Sequence, residues 1–415
     1  MTFGEILIYC ITFFGMYTAI FFLFTIMEDR VHRKKEKLTL PEVLPTVCVI
    51  VPCYNEEMTV VKTIKTLLDL SYPKDKLEII VVDDGSTDKT YEKAQSLKNP
   101  QVKVFRKKNG GKYTALNYAL KRTKAEIVGA LDADSFVEED ALMRMIPFFS
   151  KEKVVAVTPS MKIFKPKGFL QRIQYIEYLI GVLLRTVFTS LGSQHVTPGP
   201  FTMYKSDFFK KHGEYREAHM TEDIEMALRI QSKQLVIENS VTSFVYTVGP
   251  NTFKSLYRQR IRWYRGFVEN VLDYKELFSR KHGNLGMFIL PCSFISVALV
   301  IVSIVYYLVT LLDHWWHVFL NLKAVDFDIM KLRWFNFDLF YINLNAIAVL
   351  SFISLAMGIT LIVLAKKIAE EKIHIKYSYI LFMMVYWLLF GFWWIMSIGY
   401  KLAAKKQEWG HKSSA

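Results

Sequence analysis

The chain has 415 residues, 52% of them hydrophobic, with a net charge of +14 at pH 7, enough for one sizeable soluble domain plus membrane segments. The basic residues cluster beside apolar runs and no interleaved basic and aromatic platform exists, so nucleic-acid binding is excluded as a partner class. The four cysteines, Cys10, Cys48, Cys53 and Cys292, are scattered, which excludes a disulfide framework and a cysteine metal site and suits a reducing compartment.

Residues 5–26 are apolar, edged by Glu5 and ended by Glu28. No Lys or Arg precedes the run and no small-residue cleavage site follows it, so residues 1–27 read as an anchor, not a cleaved leader. Arg30, Arg33, Lys34, Lys35 and Lys37 make residues 28–45 a basic linker. Basic flanks mark the cytoplasmic side. The N-terminus is therefore expected outside, with residues 27–285 inside.

From Thr46 the pattern changes. Thr46–Val51 is a short β-branched apolar run stopped by Pro52, the signature of a buried parallel strand. A helix is expected over Met58–Leu70, a strand over Glu78–Val82, a helix over Thr87–Leu97 and a strand over Val102–Phe105. Tyr113–Arg122 reads as a helix and Ile127–Leu131 as a strand. This alternation predicts an α/β domain over residues 46–249 with a parallel sheet covered on both faces. Ligands of such sheets lie beyond the carboxyl ends of the strands, and each polar cluster sits at one.

Tyr54 and Glu56 follow the first strand, and an aromatic with a carboxylate suits a planar base and its polar edge. The bland reading is a turn with an acidic helix start. Asp83 and Asp84 end the second strand, where they suit nucleoside recognition or a helix cap. Gly110-Gly111-Lys112 opens a helix, so free amides and a lysine suit a diphosphate; the spacing is not that of a P-loop. Asp132 and Asp134, at i and i+2, both reach one hard cation, for which Mg2+ or Mn2+ is expected. That charge would neutralise a departing diphosphate. Glu222 and Asp223 open the helix Ile224–Gln231, and Asp223 suits a general base that takes a proton from an acceptor hydroxyl.

Residues 168–191 and 250–285 read as two helices at a membrane interface. The second carries Gln259, Arg262 and Trp263 at i, i+3 and i+4, one helical face that offers an indole for a sugar ring and polar groups for its hydroxyls or the leaving diphosphate. Within residues 286–400, the runs 286–312, 341–365 and 377–400 are each long enough to cross a bilayer, which takes about 20 residues. Lys366, Lys367, Lys372 and Lys376 fill the last short loop, and residues 401–415 form a basic tail.

With these residues in place, the chain resembles the processive membrane members of glycosyltransferase family 2, the cellulose, chitin, hyaluronan and poly-N-acetylglucosamine synthases. The resemblance covers nearly the whole chain. It implies a GT-A-type, Rossmann-like cytosolic catalytic domain with interfacial helices and transmembrane segments, in the plasma membrane. It implies that Tyr54, Glu56, Asp83, Asp84, Lys112 and Asp132 hold a UDP-sugar, that Asp132 and Asp134 hold the metal, and that Asp223 is the base. Gln259, Arg262, Trp263, Glu222, Gly199 and Pro200 then meet a polysaccharide acceptor. UDP-N-acetylglucosamine is the donor it favours, and accessory export or biosynthesis proteins are the partners it implies. Val385-Tyr386-Trp387-Leu388-Leu389 is similar to the poly-N-acetylglucosamine synthases. Glu408-Trp409-Gly410-His411-Lys412 is similar to a Trp-Gly-Thr-Arg tail that closes over the donor, with His411 and Lys412 departing from it. That makes Trp409 and Lys412 gating candidates. Three crossings after an inside domain leave this tail outside, whereas its lysines and the lid resemblance place it inside. A last segment bent or interfacial around Gly391 resolves the conflict; another crossing within 313–340 is the alternative. Two rival functions remain: a non-processive transferase acting on a lipid phosphate, and an assembly protein with an inactive transferase domain.

Overall fold

A computed structural model describes residues 1–35, 38–324, 327, 346–372 and 376–403. Its centre is an eight-stranded sheet in the order β3-β2-β1-β4-β7-β6-β8-β5. The strands β1 (Val47–Cys53), β2 (Leu77–Asp83), β3 (Val102–Arg106) and β4 (Ile127–Ala130) are mutually parallel, as expected. Side chains alternate between two cores, as the period of two requires. Val47, Val49 and Val51 join Ile79 and Val81 on one face. Cys48 and Ile50 join Ile80 and Val82 on the other. Helix α2 (Val60–Leu68) covers the first face through Val60, Ile64 and Leu67, a 3.6-residue stripe. Helices α3 (Thr90–Gln95), α4 (Lys112–Leu120), α5 (Ala141–Met145) and α7 (Ser206–His212) complete the covering.

The sheet is mixed, which corrects the expectation of a parallel one. β5 (Ser135–Val137) runs antiparallel to β8 (Val236–Thr247), and β7 (Met203–Lys205) runs antiparallel to both β4 and β6 (Val154–Ile163). Residues 131–134, between β4 and β5, are too few for the crossover a parallel neighbour needs. The chain therefore leaves the parallel half at Asp132, and that break is where the site forms.

Helix α6 (Phe169–Ser190) and helix α9 (Phe253–Asp273) lie between the sheet domain and the apolar helices. Helix α8 (Glu222–Ser232) packs under α9. Among the described residues, four helices are long and apolar enough to cross a membrane: Phe3–Asp29 within α1 (Phe3–Lys35), Leu285–Ala324 with α10 (Leu290–Ala324), α11 (Ala346–Ile368) and α12 (Lys376–Leu402). They turn large apolar side chains outward, among them Phe13, Phe24, Leu312, Phe352 and Met384, as a lipid-facing surface does.

Gly391 does not break the last segment. It lies inside an unbroken α12, where a Cβ would collide with Ile304 of α10, so its role is close helix approach. Both ends of α12 meet helices that border the sheet domain. Near one end of α12, Tyr377 lies beside Arg172 of α6, 5.6 Å from ring centre to guanidinium. Near the other end, the hydroxyls of Tyr400 and Tyr257 of α9 are 3.2 Å apart. Lys162 of β6 pairs at 3.8 Å with Glu371, just after α11, so the end of α11 docks on the sheet domain. Trp409 and Lys412 lie outside the described residues.

Candidate active site

The loops after β1 and β2 are stapled to each other. The Asn55 N–H donates to Ser86 Oγ at 2.9 Å, the Glu56 N–H to Thr90 Oγ1 at 2.8 Å, and the Thr87 N–H to Asn55 Oδ1 at 2.9 Å. Asn55 sits at φ +58°, a conformation Asn tolerates better than most residues. This holds Tyr54 and Glu56 at the sheet edge. Thr59 Oγ1 donates to Glu56 at 2.8 Å. Burial, then the charge of Asp134, pushes the Glu56 carboxyl up to about 7. Asp83 is buried, ion-paired with Arg106 Nε at 3.1 Å and accepting the Ser86 N–H.

Asp84 occupies a different place from the one its motif implied. It is fully buried and accepts from Lys107 Nζ at 2.5 Å and from the N–H groups of Gly110 and Gly111 at 3.2 and 2.8 Å. The amides expected to meet a diphosphate are therefore already taken. Asp84 pins the glycine turn, and Lys112 is the group that this turn delivers to the site. Sequence reasoning missed Lys107 and Arg106; a basic pair at the end of the strand that neighbours Asp83 was the available signal.

Lys112 Nζ bridges Asp132 at 2.7 Å and Glu222 at 2.9 Å. Burial works against its charge, but the two carboxylates outweigh it and raise its pKa. A Cβ on Gly199 would stand 3.0 Å from Lys112 Nζ and 3.6 Å from Asp132 Oδ2, so only glycine leaves this floor open. Buried Pro200 follows it. Asp134 is held at the mouth of β5, and burial followed by the charge of Asp132 pushes it up to about 6. Asp134 stays raised even with Lys112 on its neighbour Asp132, a strain that a divalent cation between the two carboxylates would relieve. Among the described residues no cluster of three His, Cys, Asp or Glu exists that could hold a metal, so phosphate oxygens and water must complete any such shell.

Asp223 sits one residue into α8. Burial first, and the charge of Glu222 second, push it up to about 6. Its carbonyl accepts the Thr197 hydroxyl at 2.7 Å, which ties α8 to the segment bearing Gly199 and Pro200. The turn ahead of it is left-handed at Ala218, His219 and Met220, with φ of 47°, 52° and 63°. Strain of this kind persists only where the surroundings hold it. Helix α9 does so: Asn270 Nδ2 donates to Ala218 O at 3.1 Å and to Thr221 Oγ1 at 2.8 Å, and Arg262 Nη1 donates to Met220 O at 3.3 Å. Gly266 is the contact point, since a Cβ there would collide with Thr221.

Gln259, Arg262 and Trp263 thus stand on the helix that seats the Asp223 turn. Gln259 Oε1 is enclosed without a hydrogen-bond partner among the described residues. Arg260 lies over the Trp263 ring at 4.2 Å and pairs with Glu177 of α6 at 2.6 Å. Sequence reasoning missed both Arg260 and Glu177. The signal was a lone carboxylate inside an apolar helical stretch.

Residues 48–213 match the family model described as glycosyl transferase family 2. Over 287 residues the chain is 32% identical to a poly-beta-1,6-N-acetyl-D-glucosamine synthase of Staphylococcus aureus, covering 67% of this chain and 68% of that one. Over 267 residues it is 31% identical to a beta-monoglucosyldiacylglycerol synthase of a Nostoc species, covering 61% and 57%. A solved mannosyltransferase of Pyrobaculum calidifontis, in complex with GDP-Man and Mn2+, superposes over 96% of this chain and all of that one. At a TM-score of 0.55 and 18% identity, that likeness shows a shared fold.

Proposed function

The chain belongs to glycosyl transferase family 2, and from that premise we propose a processive, inverting enzyme that moves a sugar from a UDP-sugar to a growing β-linked polysaccharide. UDP-N-acetylglucosamine is the donor of choice, supported by the 32% identity to a poly-beta-1,6-N-acetyl-D-glucosamine synthase. The observation that carries the reading is the seating of α9 on α8. Gly266 and Asn270 fix the turn that holds Asp223, while Gln259, Arg262 and Trp263 stand on the same helix, next to the apolar helices. Base and acceptor platform are one unit, set where a product could leave through the membrane.

In this reading the uracil and ribose lie along Tyr54, Glu56 and Asp83, and Asp84 acts through the glycine turn. Asp132, Asp134 and the donor diphosphate would hold Mg2+ or Mn2+, which supplies charge neutralisation to the leaving group. Lys112 turns from its two carboxylates to the diphosphate. The acceptor, stacked on Trp263 and bounded by Gly199 and Pro200, loses its hydroxyl proton to Asp223. Its oxygen forms the bond to the sugar anomeric carbon as the bond to the diphosphate breaks, and UDP leaves with that electron pair. Inversion follows from a single displacement.

We place the sheet domain on the cytoplasmic side of the plasma membrane, supported by the basic linker after α1. The contacts near both ends of α12 with α6 and α9 support a tail returning to that side, where Trp409 and Lys412 could gate the donor. Accessory export or biosynthesis proteins belong to the same reading.

The test is product size. Full-length enzyme in lipid nanodiscs receives labelled UDP-sugars, starting with UDP-N-acetylglucosamine. Long water-soluble chains are the expected result. A single organic-extractable glycolipid would instead establish the second reading, a lipid acceptor, which the 31% identity to a glycolipid synthase supports.

A further inference from the structure

Helix α6 has two unlike sides. Tyr175, Ile176, Leu179, Val182, Leu183, Thr186 and Val187 are buried, most of them against Ile26 of α1 and Ile362, Ala365 and Ala369 beside them. Glu177, Tyr178, Gly181, Arg185 and Phe188 form the opposite strip and are half-buried. Its two ends lead towards α9, while α12 packs on both helices. At one end Glu177 pairs with Arg260, which lies over Trp263. At the other end the Phe188 ring is 5.0 Å from His195, itself 6.1 Å from Phe267 of α9.

Between these two contacts stands a guanidinium without a partner. Arg185 Nε and Nη2 are enclosed and make no hydrogen bond among the described residues. Its Nη1 lies 3.5 Å from where a Cβ on Gly181 would be, so the head folds back along the helix over the glycine, towards Tyr178. Burial lowers the Arg185 pKa to about 10, which still leaves it charged at neutral pH. A desolvated cation with unused donors is costly to maintain. Ligand oxygens in the groove would relieve that cost.

We propose that Arg185, with Tyr178 about two turns below it, is an acceptor-chain subsite on the α6 side of the site whose α9 side carries Trp263. This rests on the polymer reading and extends it along the product path. The occupant follows from complementary deficits. Arg185 lacks acceptors, whereas Gln259 Oε1 lacks a donor. A glycan supplies both through its hydroxyl, ring and acyl oxygens. A phosphate dianion supplies acceptors alone. Tyr178 to Arg185 spans about 10 Å of helix axis at 1.5 Å per residue, longer than one sugar ring.

The experiment compares wild type, Arg185→Ala and Arg185→Lys as full chains in nanodiscs, with labelled UDP-N-acetylglucosamine. Product length, calorimetric UDP affinity and co-purified lipid phosphorus are read together. Loss of one charged hydrogen-bond donor predicts chains retained at least about tenfold more weakly and so released short in Arg185→Ala. UDP affinity should stay within about twofold of wild type by the same reasoning, because no donor contact is lost. Arg185→Lys should fall between. Wild-type chain length in Arg185→Ala would overturn the proposal. So would a parallel loss of UDP affinity, which places Arg185 in the donor site or the fold. Lower phosphorus with unchanged chain length would assign the site to a lipid phosphate instead. If wild type itself makes only a glycolipid, the polymer reading fails first, and that arm shows it separately.

Discussion

Lys112 and Glu222 are 2.9 Å apart, and through that ion pair the glycine turn after β3 touches the start of the helix that carries Asp223. The same ammonium holds Asp132 at 2.7 Å. One cation therefore joins the donor side to the base side. When a diphosphate draws Lys112 away, Glu222 is left more negative beside Asp223, which strengthens the base as the donor arrives. Lys112→Ala should weaken UDP binding about 10- to 100-fold, the worth of a charge-assisted contact. Titration calorimetry of UDP checks this; unchanged affinity would remove Lys112 from the diphosphate.

Asp223→Asn keeps the shape and removes the proton acceptor. Transfer should fall on the order of 10²-fold or more, with UDP affinity retained. Stability should move the other way. Asp223 has its carboxyl raised to about 6 in the folded chain, so the folded state binds the proton more tightly than the unfolded one. Its stabilising contribution is full at low pH and is lost as pH rises towards 6. At pH 7.5 the variant should therefore melt above wild type, and the gap should close near pH 4. A variant that turns over normally ends the base assignment.

The pH–rate profile should separate the two carboxylates. Asp134 and Asp223 are both raised to about 6, and both must be ionised in the free enzyme. The acid limb of kcat/KM should fall through about pH 6 and approach a slope of two. Bound donor and cation hold Asp134 ionised, so the acid limb of kcat should approach a slope of one. Equal slopes in both profiles would show that Asp134 does not titrate with catalysis.

Metal dependence has its own readout. UDP should bind more tightly with Mn2+ than with chelator, because the phosphate oxygens and the Asp132–Asp134 pair share the ion. Asp134→Ala should abolish that difference without changing the metal-free affinity. Full transfer in chelator would remove the metal from the mechanism.

The parallel half of the domain was legible because β1 and β2 are buried on both faces and so are apolar at nearly every position. β5 and β7 have three residues each, too short for any periodic signal, and they alone make the sheet mixed. Asp84 shows a second limit. A carboxylate that accepts loop amides and one that meets a ligand look alike as letters, and only the partners that folding brings, here the Gly110 and Gly111 amides, separate them. Gly391 shows a third: a glycine in an apolar run marks a bend or a close approach, and the partner that decides it, Ile304, is 87 positions away (391 − 304). Glu177 and Arg260 were equally out of reach as a pair, because neither helix announces the other. By contrast the placing of Gln259, Arg262 and Trp263 on one helix was readable from spacing alone.

Gly266 gives the sharpest test of the idea that α9 positions the base. Its Cα faces Thr221, and an added methyl would meet the Thr221 side chain. Thr221 is buried and held by Asn270, so it cannot swing aside without moving the first turn of α8. Gly266→Ala should therefore displace Asp223, and a shift near 1 Å costs on the order of 10²-fold in rate. Overpacking should also cost about 1–3 kcal/mol of stability. UDP affinity should fall far less than rate, because Asp83 and Asp132 lie off the displaced turn and only Lys112 is joined to it, through Glu222. Gly168→Ala is the control, since nothing lies within 4 Å of a Cβ there. The double variant Gly266→Ala with Thr221→Ala makes room for the methyl and should recover rate relative to Gly266→Ala alone, a non-additivity that a double-mutant cycle measures. If the double variant is as slow as the product of the two single effects, the contact between α9 and α8 does not set the base, and Asp223 is positioned by α8 alone.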